Sequence, residues 1–558
     1  MSGAATPETA TDVEKQTDST VRYIHPRVIL MGILVSMGGF IFGYDTGQIS
    51  GFLEMSDFLD RFADQTDADG NPAFSNSRSG AIVGLLSIGT LIGAIIAGPI
   101  ADKLGRKYSI ILWNIVFIVG VIVQIVTTTK WYQIAIGRWV AGLGVGGLSV
   151  LTPMYQSETA PRQVRGALVS CYQLFITLGI FTAYCINYGT EDDYSGAPQW
   201  RIPIGIGFIW PVVMAVGILF LPESPRWDYR KGNVDRAVNT ISKSYGVPET
   251  HQQVVREVRD IKAKLDAETA GGAKHHWYEI FTGPRMLYRT ILGIVLQALQ
   301  QLVGANYFFY YGTTIFTSTG LSNSYVTSMI LGGVNFGTTF LGLYVVDKFG
   351  RRKSLITGAL WMFVCFMIFA SVGHYALNRD DPQATPSAGT AMIVFACLFI
   401  AGFASTWGPI VWAVVGETYP SRYRARAMGI ATASNWTFNF LISFFTPFIT
   451  ADIDFAYGYV FGGCCFVGAV VVYLFVCETQ GRSLEEIDTM YVLKVKPWKS
   501  SKWRWEDDLT AQNMVSLGPE ARQAAKRTEQ AQERREVASG EANGVERGEP
   551  SNAATATR

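Results

Sequence analysis

The sequence predicts an all-α membrane protein, with twelve transmembrane helices in two six-helix halves, on three observations. Twelve runs of roughly 20 predominantly apolar residues, the length a helix needs to cross a bilayer core, can be placed along the 558 residues. A polar stretch divides them six and six, and short charged motifs recur in corresponding loops of the two halves. Composition agrees, since only 16% of residues are charged while 49% are hydrophobic, too greasy for a soluble multi-domain enzyme.

Residues 1–26 are polar and lack an apolar core, so they read as a cytoplasmic tail, and the first apolar run serves as the targeting signal. Spans one to six fall near 28–51, 79–101, 108–127, 132–153, 166–187 and 202–221, giving an N-terminal half over 27–221. The stretch 222–288 reads as a cytoplasmic linker with short helices on the membrane surface. Spans seven to twelve follow near 289–312, 324–346, 354–374, 389–414, 426–449 and 456–476, a C-terminal half over 289–477. From 478 to 558 the composition turns to Glu, Arg, Gln, Ala and Ser, which buries too little surface to offset ordering entropy. This is a cytoplasmic tail, mostly disordered after about residue 510.

Orientation follows from the loop cations. The loops after spans two, four, eight and ten hold Lys103, Arg106, Lys107, Arg162, Arg165, Lys348, Arg351, Arg352, Lys353, Arg422, Arg424 and Arg426. The opposite loops hold only Arg61, Arg78, Lys130, Arg201 and Arg379. Both termini are therefore placed in the cytoplasm. The sequon Asn435-Trp436-Thr437 lies inside span eleven, so N-glycosylation is not expected.

Several function classes are disfavoured. A net charge of +1 gives no field to draw in nucleic acid. The seven cysteines sit in or beside apolar runs without a CxxC pair, and the five histidines, including the doublet His275-His276, show no metal-ligand spacing with them. Nothing resembles a phosphate-binding loop or an activated nucleophile, so neither an ATP-driven pump nor an enzyme is expected, and no cofactor or metal.

The repeat is explicit. DKLGRK at 102–107 recurs as DKFGRR at 347–352, and ETAPRQVRG at 158–166 as ETYPSRYRA at 417–425. The offsets, 245 and 259, differ by a longer outward loop around His374 to Thr390 in the second half. Such duplication is expected of paired transporter halves related by an axis along the membrane normal.

Individual residues then stand out. Asp45 is the one carboxylate deep in a span of the first half, costly there unless it has a function or a partner, and Arg138 of span four is its obvious partner. Gln300, Gln301 and Asn306 recur along span seven with Tyr310 and Tyr311 a turn further; Asn335, Trp412, Asn435 and Asn439 add amides and an indole, and Gln173 is the contribution of span five. Neutral donors and acceptors with an aromatic face suit a polyhydroxylated, uncharged ligand, although each amide could instead tie helices together. Asp102, Arg106, Glu158, Arg165, Glu223, Arg226, Asp347, Arg351, Glu417, Arg424 and Glu478 place acids and guanidinium groups where they can bridge at the cytoplasmic ends of adjacent helices. Pro409 with Gly402, Gly408 and Gly416 would break span ten, whereas Gly137, Gly142, Gly144, Gly146 and Gly147 of span four serve close packing.

Over residues 25–490 the chain resembles the sugar porter branch of the major facilitator superfamily, and within it the fungal hexose transporters. The resemblance is carried by GYDTG (43–47), both DKxGR motifs, PMYQSETAPRQVRG (153–166), PESPRW (222–227), QQLVGANYFFYY (300–311) and ETQGRSLEEI (478–487). It implies the major facilitator fold and a plasma-membrane monosaccharide transporter, for a hexose such as glucose, working as a monomer in the lipid bilayer by alternating access. Sugar:proton symport is the leading reading, with Asp45 and Arg138 as coupling pair; a proton-independent uniporter and a transporter-like glucose sensor remain alternatives. It also implies sugar contacts at Gln173, Gln300, Gln301, Asn306, Asn335, Trp412 and Asn439, and a cytoplasmic gate in the charged clusters. One departure stands out: Ala404 occupies a position where animal facilitators carry Glu, with Thr406 a weak substitute.

Overall fold

The structure is a computed structural model that describes residues 26–504 except 67–69, 162–163, 271–277, 284, 320–322, 379–380, 421–422 and 483. Expectations for the N-terminal tail, the chain beyond Arg504, Arg162, Arg379, Arg422 and the His275-His276 doublet lie outside the described residues, as does the side chain of Asp347.

Twelve spans are present. In the first half they are Pro26–Phe52, Asn76–Leu104, Arg106–Ile125, Trp131–Thr159, Arg165–Glu191, and a pair of short segments, Pro198–Ile206 and Ile209–Leu219. In the second half, Met286–Leu302 and Ala305–Thr317 together form span seven, Ser324–Lys348 span eight and Arg351–Ser371 span nine. Span ten comprises Pro386–Ser405 and Trp407–Thr418; the apolar stretch that follows contains two helices, Arg424–Ile453 and Tyr457–Phe475, separated by a reversal at Asp454 with φ 50°. Side chains such as Ile115, Phe340, Val364 and Val467 point outward uncovered, the surface a lipid-facing bundle requires.

Two breaks shape the interior. Span ten breaks at Thr406 (φ −134°, ψ −81°), just before the Gly408-Pro409 pair, as the sequence predicts. Span seven, expected as one run, breaks at Gly304 (φ 91°), where a Cβ would press on the Phe461 ring. In span four, a Cβ at Gly142 or Gly146 would overlap the carbonyl oxygens of Leu86 and Thr90 in span two, so the glycines there serve close packing. The connection between spans nine and ten runs over 372–385 where its counterpart covers only 126–130, which places most of the offset difference in that loop.

The linker contributes Pro225–Arg230, Val234–Tyr245 and Gln252–Ala270, the last two sharing a small core of Ile241, Tyr245, Val254 and Ile261. Beyond span twelve, Leu484–Val492 and Pro497–Lys502 fold back onto the second half. There the fully buried Arg289 of span seven donates to the Asp488 carboxylate at 2.7 Å and to its carbonyl at 3.0 Å, lying over the Tyr491 ring.

Among the described residues, hydrogen bonds join the halves directly at several points. Ser87 Oγ donates to Asn439 Oδ1 (2.6 Å) near the middle of the bundle. The Tyr184 hydroxyl donates to Phe309 O (3.1 Å), Ser50 meets Thr313 (3.2 Å), Tyr325 donates to Gly51 O (2.9 Å) and Thr314 donates to Glu54 (2.7 Å). These four lie toward the end opposite the linker, so the halves are sealed there.

Candidate functional site

Asp45 and Arg138 are both fully buried, with Arg138 Nη1 3.7 Å from Asp45 Oδ2. Gln48, one turn along span one, donates to Asp45 Oδ1 at 2.9 Å. Asp45 Oδ2 and all three guanidinium nitrogens of Arg138 lack hydrogen-bond partners among the described residues. The two groups are therefore within ion-pair range without a direct hydrogen bond, a loose arrangement for charges removed from water.

Across the bundle, the broken spans of the second half place their amides together. Gln300 donates to the carbonyls of Trp407 (3.1 Å) and Gly408 (2.9 Å), in the first turn of span ten's second segment. Asn435 Nδ2 donates to Gln297 Oε1 and Gln300 Oε1, both at 2.7 Å, while its Oδ1 accepts from Gln301 at 3.0 Å. Gln301 Oε1 accepts from Asn306 (2.5 Å) and Asn439 (3.1 Å), and Asn439 Oδ1 accepts from Tyr310 (3.1 Å) as well as Ser87. The network thus reaches from the break in span ten to the opposite half.

Of the sequence-predicted amides, the structure brings together Gln300, Gln301, Asn306 and Asn439. Gln173, Asn335 and Trp412 stand on spans five, eight and ten without a side-chain hydrogen bond among the described residues. Gln297 was not singled out by the sequence, and Asn435 was noted only as a further amide. Their signal was available: Gln297, Gln300 and Gln301 share a helix face at three- and four-residue spacing. Thr406 does not stand in for the missing Glu, because its hydroxyl donates to Gly402 O (2.6 Å) and packs against Gly358.

At the linker end, the charged motifs form two matching clusters. Arg106 pairs with Glu158 (3.0 Å) and Asp102 (3.2 Å), and Arg351 with Glu417 (3.2 Å). Glu223 and Glu478, expected as guanidinium partners, instead accept backbone N–H groups. Glu223 accepts from Arg106 and Lys107, and Glu478 from Arg351 and Arg352, so each caps a helix start with a carboxylate where the helix dipole favours one. Gly105 (φ 93°) and Gly350 (φ 85°) make room: a Cβ on either would run into the capping carboxylate. Burial pushes the Glu223 carboxyl above its ordinary value, and the backbone donors oppose this. Arg165 pairs with Glu257 of the linker at 3.1 Å, not with Glu158, and donates to Ala160 O; Arg424 donates to Tyr419 O at the equivalent position. Arg226 makes no ion pair among the described residues.

Two broken six-helix halves, sealed at one end and holding a neutral amide network beside a buried ion pair, define a membrane transporter for an uncharged, hydroxyl-rich solute. The chain belongs to the family described as sugar (and other) transporter, which matches residues 31–491. It is 48% identical over 507 residues to a low-affinity glucose transporter of Kluyveromyces lactis, covering 89% of this chain and 88% of that protein. It is 46% identical over 479 residues to a high-affinity fructose transporter, ght6, of Schizosaccharomyces pombe, covering 85% and 89%. Among solved structures it is similar to the xylose transporter XylE from E. coli in a partially occluded inward open conformation. That match has a TM-score of 0.68 and 25% identity, covering 82% of this chain and 99% of that one. The fold is that of the major facilitator superfamily, and the protein is a multi-pass membrane sugar transporter.

Proposed function

We propose that the chain is a plasma-membrane hexose transporter, with glucose as a substrate, that couples sugar entry to protons by alternating access. The amide network carries this reading. It gathers amide donors and acceptors, held in place by one another, at the break of span ten and continues through Asn439 to Ser87 of the other half, so a sugar bound there would be sensed by both halves. Gln300, Gln301, Asn306 and Asn439 would bind the sugar from this network, and Gln173, Asn335 and Trp412 would complete the site as the halves close. The names of its relatives, glucose and fructose transporters, support a hexose.

Asp45 would carry the proton, and Arg138 would set when it is released, since changing their separation alters the balance between desolvation and attraction. A similar solved structure, 25% identical with a TM-score of 0.63, is a D-xylose-proton symporter. With the termini and linker cytoplasmic, the sealed end faces outward and the structure is an inward-facing state. The Asp102, Arg106, Glu158 and Arg351, Glu417 clusters, with Asp347, Arg165, Arg226 and Arg424 around them and Glu223 and Glu478 as caps, would form the cytoplasmic gate. The protein would work as a monomer.

The test is glucose-triggered alkalinisation outside cells that express only this transporter, with radiolabelled uptake in parallel. Symport predicts alkalinisation and uncoupler-sensitive accumulation, both lost in Asp45→Asn while sugar exchange survives. Uptake without alkalinisation, insensitive to uncoupler, would mean facilitated diffusion with Asp45 and Arg138 as a permanent pair.

A further inference from the structure

Four hydrogen bonds seal the end opposite the linker, and only one of them involves a carboxyl group among the described residues. Glu54, two residues past the end of span one, accepts the Thr314 hydroxyl of span seven's second segment at 2.7 Å. The other three seal bonds use hydroxyls and backbone carbonyls. No basic side chain pairs with Glu54 among the described residues. The charged and titratable groups on the elements around it are chiefly acidic. Glu54, Glu191 and Asp192, the latter two at the end of span five, face the same Tyr325 hydroxyl of span eight. On the short helix Ser56–Phe62, Asp57 is paired with Arg61 at 2.6 Å, leaving Asp60 as a further acid. At the start of span two, Arg78 is turned to Asp64 at 3.5 Å.

We propose that Glu54 is a second proton-binding site, distinct from Asp45, and that its protonation holds the two halves together at the outer end. The proposal rests on the alternating-access reading and on the linker end being cytoplasmic. A carboxylate wedged between the halves, with acids nearby and no cation paired to it among the described residues, has little to gain from its charge while the seal is closed. Separation of the halves returns it to water. In the sealed form, burial pushes the Glu54 carboxyl above its ordinary value of 4.5, and the Thr314 hydrogen bond opposes this only in part.

The sign follows from linkage. A group whose pKa is higher in the sealed form takes up a proton on sealing, so acid favours the seal. This contribution is complete below the ordinary carboxylate value and is lost as pH rises through the sealed-form value. External acidification would thus slow the return of the empty transporter to its outward-open form, an effect separate from any proton carried with sugar.

The test is a distance measurement between spin labels at Tyr194 and Ser318, exposed positions at the outer ends of the two halves, in the full-length protein without sugar. Acidification from about pH 8 to about pH 5, down toward the ordinary carboxylate value, should raise the short-distance population several-fold. Glu54→Gln, which keeps the shape without the charge, should show the acid-like population at every pH. Thr314→Val should shift toward long distances at high pH, with a pH response at least as large as the parent's, because the donor that favours the ionised carboxylate in the sealed form is gone. Asp45→Asn should retain the full response, which separates this site from the coupling pair even where transport is lost. A Glu54→Gln protein that keeps the parent pH response would overturn the proposal, as would a parent protein whose outer distance ignores pH.

Discussion

In the first half, Asp45 and Arg138 face each other at 3.7 Å with four buried polar atoms that lack hydrogen-bond partners among the described residues; in the second, six amides share a network in which Gln297 Nε2 is the one fully buried amide atom without a partner among those residues. Charge is present where bonding is sparse, and bonding is dense where charge is absent. A buried charge held loosely responds to small changes in separation, because Coulomb energy in low dielectric is steep. A saturated amide network instead resists movement and keeps donors and acceptors in fixed directions. Under the proposed function, the loose pair of the first half would serve coupling and the fixed network of the second would serve recognition.

The largest effect should come from breaking the charged pair on one side. Arg138→Leu leaves Asp45 buried without its cation, a loss of about 3–5 kcal/mol, seen as a large drop in unfolding temperature and absent uptake. Adding Asp45→Asn should restore most of the stability but not accumulation against a gradient. If the single variant is as stable as the parent, the two groups do not form a buried ion pair.

On the amide side, Asn435→Leu strands Gln297 Oε1, Gln300 Oε1 and Gln301 Nε2 at once, each at about 1–3 kcal/mol when left unpaired. The apparent KM for hexose should rise tenfold or more, and by more than in Gln300→Ala. An unchanged KM would show that the network is structural and apart from the sugar.

The caps at the linker end let the halves be compared at one matched position. Glu223→Gln and Glu478→Gln should each lower stability by about 1 kcal/mol, measured as parallel shifts in unfolding temperature. A shift in one alone would show that the repeat is kept in sequence but not in energetics. Smallest of all, Ser87→Ala removes one neutral bond across the halves, about 0.5–1.5 kcal/mol. It should move the sealed population a few-fold in the distance measurement at constant pH, leaving the pH response intact.

These contrasts also show what the sequence carried. The twelve spans were legible because a crossing helix demands an unbroken apolar length, and the repeat because DKLGRK and DKFGRR survive nearly letter for letter. The break at Thr406 was legible through Gly408-Pro409, since proline removes a donor and clashes with the preceding turn. The break at Gly304 was not, because one glycine in an apolar run reads the same whether it packs or bends. Asp45 and Arg138 declared themselves as lone charges in lipid-length runs. Glu223 and Glu478 were seen as charges, yet sequence does not reveal that their oxygens meet backbone N–H groups instead of guanidinium. Glu54 sits in an acidic loop where nothing marks it; only the fold brings Thr314, 260 positions away, to its side.

The segment behind span twelve also has a mechanical side. Its Asp488 answers the charge of Arg289, so peeling the segment away would strand a cation inside the protein. Arg289 stands on the same unbroken helix as Gln300, 11 residues or about 16 Å along its axis. A pull on this segment is therefore a pull on a stiff rod whose far end is the amide cluster.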